Sequence, residues 1–384
     1  MAANGYGKRY EGIERTVGNG PSAMACMVTE DNFWRGRRIL VTGHTGFKGA
    51  WLCAWLSKLG ARVFGLSLAE DHQSLARVAN TRSLFEGEYL GDIRSFDQVR
   101  RFCLETQPQV VFHLAAQPLV NVGVSNPIDT YSINIFGTIN LLESLFNLAN
   151  LEAIVVVTSD KCYEPSEDPV LRFSEGSSLG GNDPYSVSKA CQDLISTSYH
   201  RTFFSKSGIP IATARSGNVI GGGDWTVGRI LPDYIMSYYA SRRLEIRQPQ
   251  AIRPWQHVLE PLSGYIELGK RLCINGSHLS GAWNFGPDAD SEITVMEMLK
   301  ILSRKCPGVT IIDSADEKYK ETQILRLDSA KSKSILNWYP RWSVEEAIEK
   351  TICWFQSWKD GDNMLSVTME QIYQYEVSPS RGAK

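Results

Sequence analysis

From residue 37 onward the chain alternates short apolar runs with amphipathic segments, and this alternation dictates the fold class. Apolar runs at 38–42, 62–66, 110–114, 153–157 and 209–215 read as strands, with helical segments at 49–59, 95–106, 129–149 and 184–206. Runs this short and this apolar are buried on both faces, as in a parallel sheet. Strand and helix in regular succession predict a doubly wound parallel α/β sheet. Beyond Asn218 the rhythm loosens into a glycine-rich loop at 221–225, a helix at 230–242, a short strand at 243–246 and a βα-like stretch over 294–358. The expected division is a sheet domain over 34–220, also receiving parts of 253–285, and a smaller C-terminal domain over 221–360. Residues 1–33 are glycine-rich and polar and read as a disordered extension, with Met24 and Met27 as candidate starts. Residues 376–384 read as a loose tail.

The first strand runs straight into Gly43-His44-Thr45-Gly46-Phe47-Lys48-Gly49, and a helix follows. Glycines between a strand and a helix permit a tight turn and let a pyrophosphate approach the helix N-terminus. This is a GxxGxxG pattern, so Gly43, Thr45, Gly46, Phe47, Lys48 and Gly49 are expected to hold a dinucleotide. Asp92 and Ile93 follow a short strand signal, and the carboxylate is placed to accept from an adenine amine. Leu114, Ala115 and Ala116 follow the 110–114 strand, where small residues let a dinucleotide lie flat on the sheet edge. The acidic residue that usually binds a ribose hydroxyl at the end of the second strand is absent from Gly65-Leu66-Ser67-Leu68; Glu70 and Asp71 come slightly late. Arg62 begins that strand and is poorly placed for a 2′-phosphate, so the cofactor is read as NAD.

Thr158-Ser159-Asp160-Lys161-Cys162-Tyr163 follows the apolar run at 153–157. Catalytic groups gather at the carboxyl ends of such strands. Further on, Tyr185 and Lys189 stand four residues apart, on one face of a helix. A nearby ammonium lowers a phenol's pKa from about 10, making the Tyr a usable base.

Charge and cysteines exclude several classes. A net charge of −2 argues against non-specific nucleic-acid binding. The eight cysteines form no CxxC pair and read as reduced thiols of a cytoplasmic protein. With six histidines lacking ligand spacing, no metal site is expected. No apolar stretch reaches membrane-spanning length.

The glycine loop, Ser159 and the Tyr185–Lys189 pair together resemble the extended short-chain dehydrogenase/reductase superfamily, with its Rossmann-like fold, from about residue 37 to 358. Within it, Thr158–Tyr163, Asp183-Pro184-Tyr185-Ser186, the 217–225 run and Arg253-Pro254-Trp255-Gln256-His257-Val258 resemble the CDP-glucose 4,6-dehydratases. The resemblance implies an NAD-dependent lyase acting on CDP-glucose. It assigns Tyr185 as base at the C4 hydroxyl, Lys189 as its partner, and Ser159 as a hydrogen bond to the C4 oxygen. Elimination across C5–C6 needs a base and an acid side by side, and Asp160 and Lys161 are the candidates. Related dTDP-glucose enzymes carry a glutamate where Lys161 stands, so the division of roles stays open at this level. Asn218, Arg229 and Arg253 are expected to grip the nucleotide sugar, the two guanidiniums at its pyrophosphate. Trp225, Trp255 and His257 either pack on the base or shape the pocket. A 4-epimerase shares Tyr185 and Lys189 but has no need of the 160–161 pair. A silent NAD-binding regulator would have no need of the Tyr–Lys pair. Apolar residues on more than one face of the 129–149 and 184–206 segments predict a homodimer.

Overall fold

Seven parallel strands form the central sheet of the computed structural model, which describes residues 32–168, 170–246, 248–313 and 325–382. They are β1 (Arg38–Thr42), β2 (Arg62–Ser67), β3 (Phe85–Leu90), β4 (Val110–His113), β5 (Ala153–Val157), β6 (Ile211–Ser216) and β7 (Gly281–Phe285). Their spatial order is β7-β6-β5-β4-β1-β2-β3. The order reverses between β1 and β4, where Ile39 pairs with Val110 and Thr42 with His113. A crevice opens at that point beyond the carboxyl ends of the strands. β4, β5 and β6 are buried along their full lengths, as continuous apolar runs require. The late strand β7 pairs with β6, so the chain returns to the sheet after the 221–280 excursion.

Helix α1 (Phe47–Lys58) follows the glycine loop, and α2 (Phe96–Thr106) packs with the 127–145 helix on one sheet face. Leu40, Val111, Leu141, Leu142, Leu145, Ile154 and Phe204 build the core there. The segment expected to be one helix over 129–149 starts at Pro127 and stops at Leu145, with Phe146 extended and Asn147 left-handed. It also carries a π-turn at Ser132–Phe136. Such a turn re-aims side chains. Here the buried Asn134 donates to Ser188 Oγ at 2.8 Å and accepts from the Gln117 amide at 2.8 Å. Helix α3 (Pro184–Tyr199) begins at Asp183, which accepts from the Ser186 amide, with Pro184 in the first turn. The expected helix over 184–206 continues past Tyr199 as a π-turn and a short 3-10 turn.

The stretch 376–382, expected to be loose, is docked. A helix the sequence reading did not include, α4 (Met364–Val377), is capped by Asn363. Near its end Glu376 accepts from Trp55 Nε1 at 2.8 Å and Lys58 Nζ at 2.6 Å, both on α1. Arg341 donates to the carbonyls of Tyr375, Glu376 and Ser378. The Arg381 amide donates to Pro340 O at 2.8 Å. Beneath this lies the fully buried Glu260, which accepts from Tyr375 Oη and from the amides of Arg341 and Trp342. Burial pushes its carboxyl up to about 7. The expected extension at 1–33 lies outside the described residues except for its last two positions.

Candidate active site

The crevice is a cavity of about 820 Å³, and the residues expected to hold cofactor and substrate line it, with Trp225 and His257 the exceptions. Its floor is the glycine loop. Gly43 takes φ +75°, and a Cβ there would meet Ala115 N at 2.7 Å. A Cβ on Gly49 would come within 2.1 Å of Gly43 O, so no side chain fits. Gly46 caps α1 with backbone only, leaving the first amides of the helix without a side-chain acceptor. Those amides and the helix dipole suit an anion. The buried His113 steadies the neighbouring strand end: its ring bonds Thr42 Oγ1 at 2.7 Å and Thr138 Oγ1 at 2.9 Å. Thr42 Oγ1 in turn accepts from the Ala115 amide. Burial pushes His113 down to about 3, so the ring is neutral at any physiological pH.

At the β2 end Thr45 Oγ1 bonds Ser67 Oγ at 2.7 Å. An acid reaches the neighbouring His44 from β3, the strand whose signal precedes Asp92. Glu88 on β3 accepts from His44 Nε2 at 2.9 Å, and the His44 ring lies over Gly65, where a Cβ would clash at 2.7 Å. Asp92 lines the cavity but is held by Arg94 through a 2.6 Å ion pair, which lowers its pKa.

The catalytic candidates converge above the floor. Ser159 is extended at the end of β5, and its hydroxyl donates to Asp160 Oδ1 at 3.0 Å and accepts from the Lys161 amide. Tyr185 on α3 lies near the same Ser159 hydroxyl, which pulls its pKa down. Burial dominates the phenol and pushes it up to about 12, against the pull of Ser159 and Arg229. Lys189 is not among the groups that pull on it. The Lys189 amine donates to Val157 O at 3.2 Å, and burial lowers its own pKa to about 8. Asp160 is buried and its pKa is raised by desolvation, with Lys161, Ser159, Lys48 and Arg253 pulling the other way. Glu164 is exposed and lies against Gly180, away from the cavity.

The far wall carries Asn218, Arg229, Arg253 and Trp255. Arg229 is held by Asp224 at 2.7 Å, so part of its fork is already engaged. Trp255 donates from Nε1 to Ile293 O and lines this wall. His257 is not on the wall. It belongs to a two-residue strand, Gln256–His257, pairing with Val219–Ile220, and its ring packs edge-on between Trp51 at 5.8 Å and Trp342 at 4.9 Å. Trp225 likewise lies in an aromatic cluster with Trp354, Phe355 and Trp358 rather than facing a ligand.

Behind the catalytic loop is a buried network. Arg215 pairs with Asp193 at 2.9 Å and donates to Tyr163 Oη at 2.8 Å; Tyr163 donates to Asn284 Oδ1 and stacks on Phe173. It ties the loop after β5 to α3, β6 and β7. No spacing in the sequence signals it. Lys48 is the other surprise. Its amine points inward and donates to Ser216 Oγ at 2.8 Å.

The GDP-mannose 4,6 dehydratase family model matches residues 40–351. The CDP-glucose 4,6-dehydratase of Salmonella typhimurium is 40% identical, over 92% of this chain and 99% of its own length. A dTDP-glucose 4,6-dehydratase of Xanthomonas campestris is 26% identical, over 87% of this chain and 98% of its own. Among solved structures, a dTDP-glucose 4,6-dehydratase of Streptomyces venezuelae with NAD bound superposes with a TM-score of 0.73 at 23% identity, over 85% of this chain and 99% of that one.

Proposed function

The chain belongs to the GDP-mannose 4,6 dehydratase family, and from that premise we propose that it is a hydro-lyase that converts CDP-glucose to CDP-4-dehydro-6-deoxy-glucose and water. The observation that carries this reading is the meeting of Tyr185, Ser159, Asp160 and Lys161 in one cavity beside the glycine floor. An epimerase has no use for the Asp160–Lys161 pair.

The chemistry that bound NAD would supply is acceptance of a hydride from C4 and its return to C6. Gly43, Thr45, Gly46, Phe47 and Gly49 would hold it at the α1 N-terminus, with Ile93, Leu114, Ala115 and Ala116 along the sheet edge and Asp92 at the rim. Ser67 and Leu68 close the cavity at the end of β2 without a basic residue, which favours NAD over its 2′-phosphate. Tyr185 takes the C4 hydroxyl proton, with Lys189 as its cationic partner, while Ser159 bonds the C4 oxygen. The resulting ketone acidifies C5. Lys161 removes the C5 proton and later restores it; Asp160, whose pKa burial raises, protonates the departing C6 hydroxyl. Over one turnover Tyr185 gains the proton that Asp160 gives up, and Ser159, bonded to Asp160 and acting on Tyr185, stands between them. Arg229 and Arg253 meet the pyrophosphate, and Asn218 and Trp255 the rest of the nucleotide sugar. Residues 221–360 thus supply the substrate half of the cleft.

Incubation with NAD and CDP-, dTDP-, UDP- or GDP-linked hexoses tests the reading. The expected result is a 4-keto-6-deoxy sugar formed fastest from CDP-glucose. A C4 epimer without water loss, or a stronger response to another nucleotide, would overturn it. Gly49→Ala is expected to abolish the rise in melting temperature that NAD gives the native protein, because its Cβ cannot coexist with Gly43 O. A preserved rise would show that the loop is not the cofactor floor.

The protein is proposed to be a homodimer. Leu142 and Leu145 are spent on the sheet core, but Ile128, Phe136 and Leu194 are 81%, 60% and 58% exposed on the same two helices. Leu194→Asp is expected to shift the mass measured by light scattering toward the monomer at micromolar concentration. An unchanged dimer would place the interface elsewhere. Among the described residues no helix is long and apolar enough to cross a membrane. Seven of the eight cysteines lie among them as free thiols, which supports a cytoplasmic setting.

A further inference from the structure

The glycine loop carries an amine that its cradle role does not use. Lys48 sits in the first turn of α1 and lines the cavity, yet its Nζ turns toward β6 and donates to Ser216 Oγ at 2.8 Å. Ser216 Oγ also bonds Tyr265 Oη at 2.8 Å, and the amine lies 5.9 Å from the Tyr265 ring centre. The next residue, Gly217, abuts the catalytic carboxyl. A Cβ on Gly217 would stand 3.0 Å from Asp160 Oδ2. That oxygen is buried and has no hydrogen-bond partner among the described residues, whereas Oδ1 is held by Ser159. One dipeptide therefore carries a lysine amine on one residue and a bare carboxyl oxygen against the other.

We propose that Lys48 is a positioning residue for dehydration: fixed on Ser216 beneath Asp160, its ammonium sets how readily Asp160 releases its proton to the departing C6 hydroxyl. The inference rests on the dehydratase reading given above. A buried carboxyl with a bare oxygen holds its proton, and a good general acid must also let it go. A cation fixed close by stabilises the carboxylate as it forms and needs no reorganisation to do so. The other groups acting on Asp160 are Ser159, Lys161 and Arg253; Tyr185 and Tyr265 also feel its charge. Lys48 in turn is faced by Arg229, Asp160 and Lys189, and burial lowers its pKa to about 7. Its charge therefore fades as the medium turns alkaline.

The test follows the Asp160 carboxyl directly. Its infrared C=O band, assigned by its loss in Asp160→Asn, is titrated without sugar in the wild type, Lys48→Met and Ser216→Ala. Removal of the charge in Lys48→Met is expected to raise the midpoint by about one pH unit. Ser216→Ala, which frees the amine, moves it the same way by less. Single-turnover release of C6-labelled oxygen as water should show its alkaline limb displaced alike, with a plateau about 10- to 100-fold lower in Lys48→Met. Formation of the 4-keto sugar stays near wild type. An unmoved midpoint in both variants overturns the proposal. So does a moved midpoint with an unmoved elimination limb, or loss of NAD affinity as the sole effect. If the wild type does not dehydrate CDP-glucose, the substrate reading falls, and the titration still decides whether Lys48 governs Asp160.

Discussion

Tyr185→Phe is expected to slow conversion of CDP-glucose by about 10²–10⁴-fold while NAD still raises the melting temperature. The substitution removes one oxygen, the phenolic one, and leaves a ring that still fills its buried place on α3. The phenol stands near 12 because burial outweighs every cation around it. It therefore loses a proton only when a cation favours the phenolate, and Arg229 is the one that pulls on it here. Turnover should rise with pH over the neutral range for this reason and lose that dependence in Tyr185→Phe. Rates measured across pH with saturating cofactor check both points. Turnover within a few-fold of wild type would remove Tyr185 from the proton path.

Lys161→Met should separate the steps. C4 oxidation depends on Tyr185 and Ser159, which the change leaves in place, so a 4-keto-hexose should accumulate. Elimination should fall by about 10²–10⁴-fold, the usual cost of a lost general base. Lys161 lines the cavity next to Asp160, and Glu164, the next acid in the chain, is exposed against Gly180. Deuterium entering C5 from solvent is the second readout. Incorporation by Lys161→Met at the wild-type rate would assign the base elsewhere, and appreciable dehydration would reduce Lys161 to a counter-charge for Asp160.

The parts of this site that were legible in the sequence are those in which chemistry and backbone come from one contiguous stretch. The glycine loop must follow β1, and Ser159, Asp160 and Lys161 must follow β5, so strand order alone brings them to the same edge of the sheet. Tyr185 and Lys189 follow from helical spacing. The failures come from long-range partners. Trp51 and Trp342 claim His257, and its strand pairs with Val219–Ile220, contacts that cross large gaps in the chain. His44 meets Glu88 only because β3 lies beside β2, and the single clue was a glycine at 65 that leaves room for the ring. Lys48 was read as a cofactor ligand from its place in the loop, but Ser216 decides where its amine goes. The helix Met364–Val377 was missed because its stability comes from Glu376, Arg341 and Glu260 contacts rather than from its own pattern.

The docking of that last helix onto α1 bears on how the protein can be handled. α1 begins at the cofactor loop, its middle donates through Trp51 Nε1 to Gly222 O, and its last turn is clasped by Glu376. A fusion partner, affinity tag or surface tether joined upstream of Gly382 would therefore pull on the same rod that shapes the nucleotide floor. Trimming back to Val377 would strip Arg341 of its Ser378 acceptor and Pro340 of its Arg381 donor. A safe junction for such work begins after Gly382, joined through a flexible spacer.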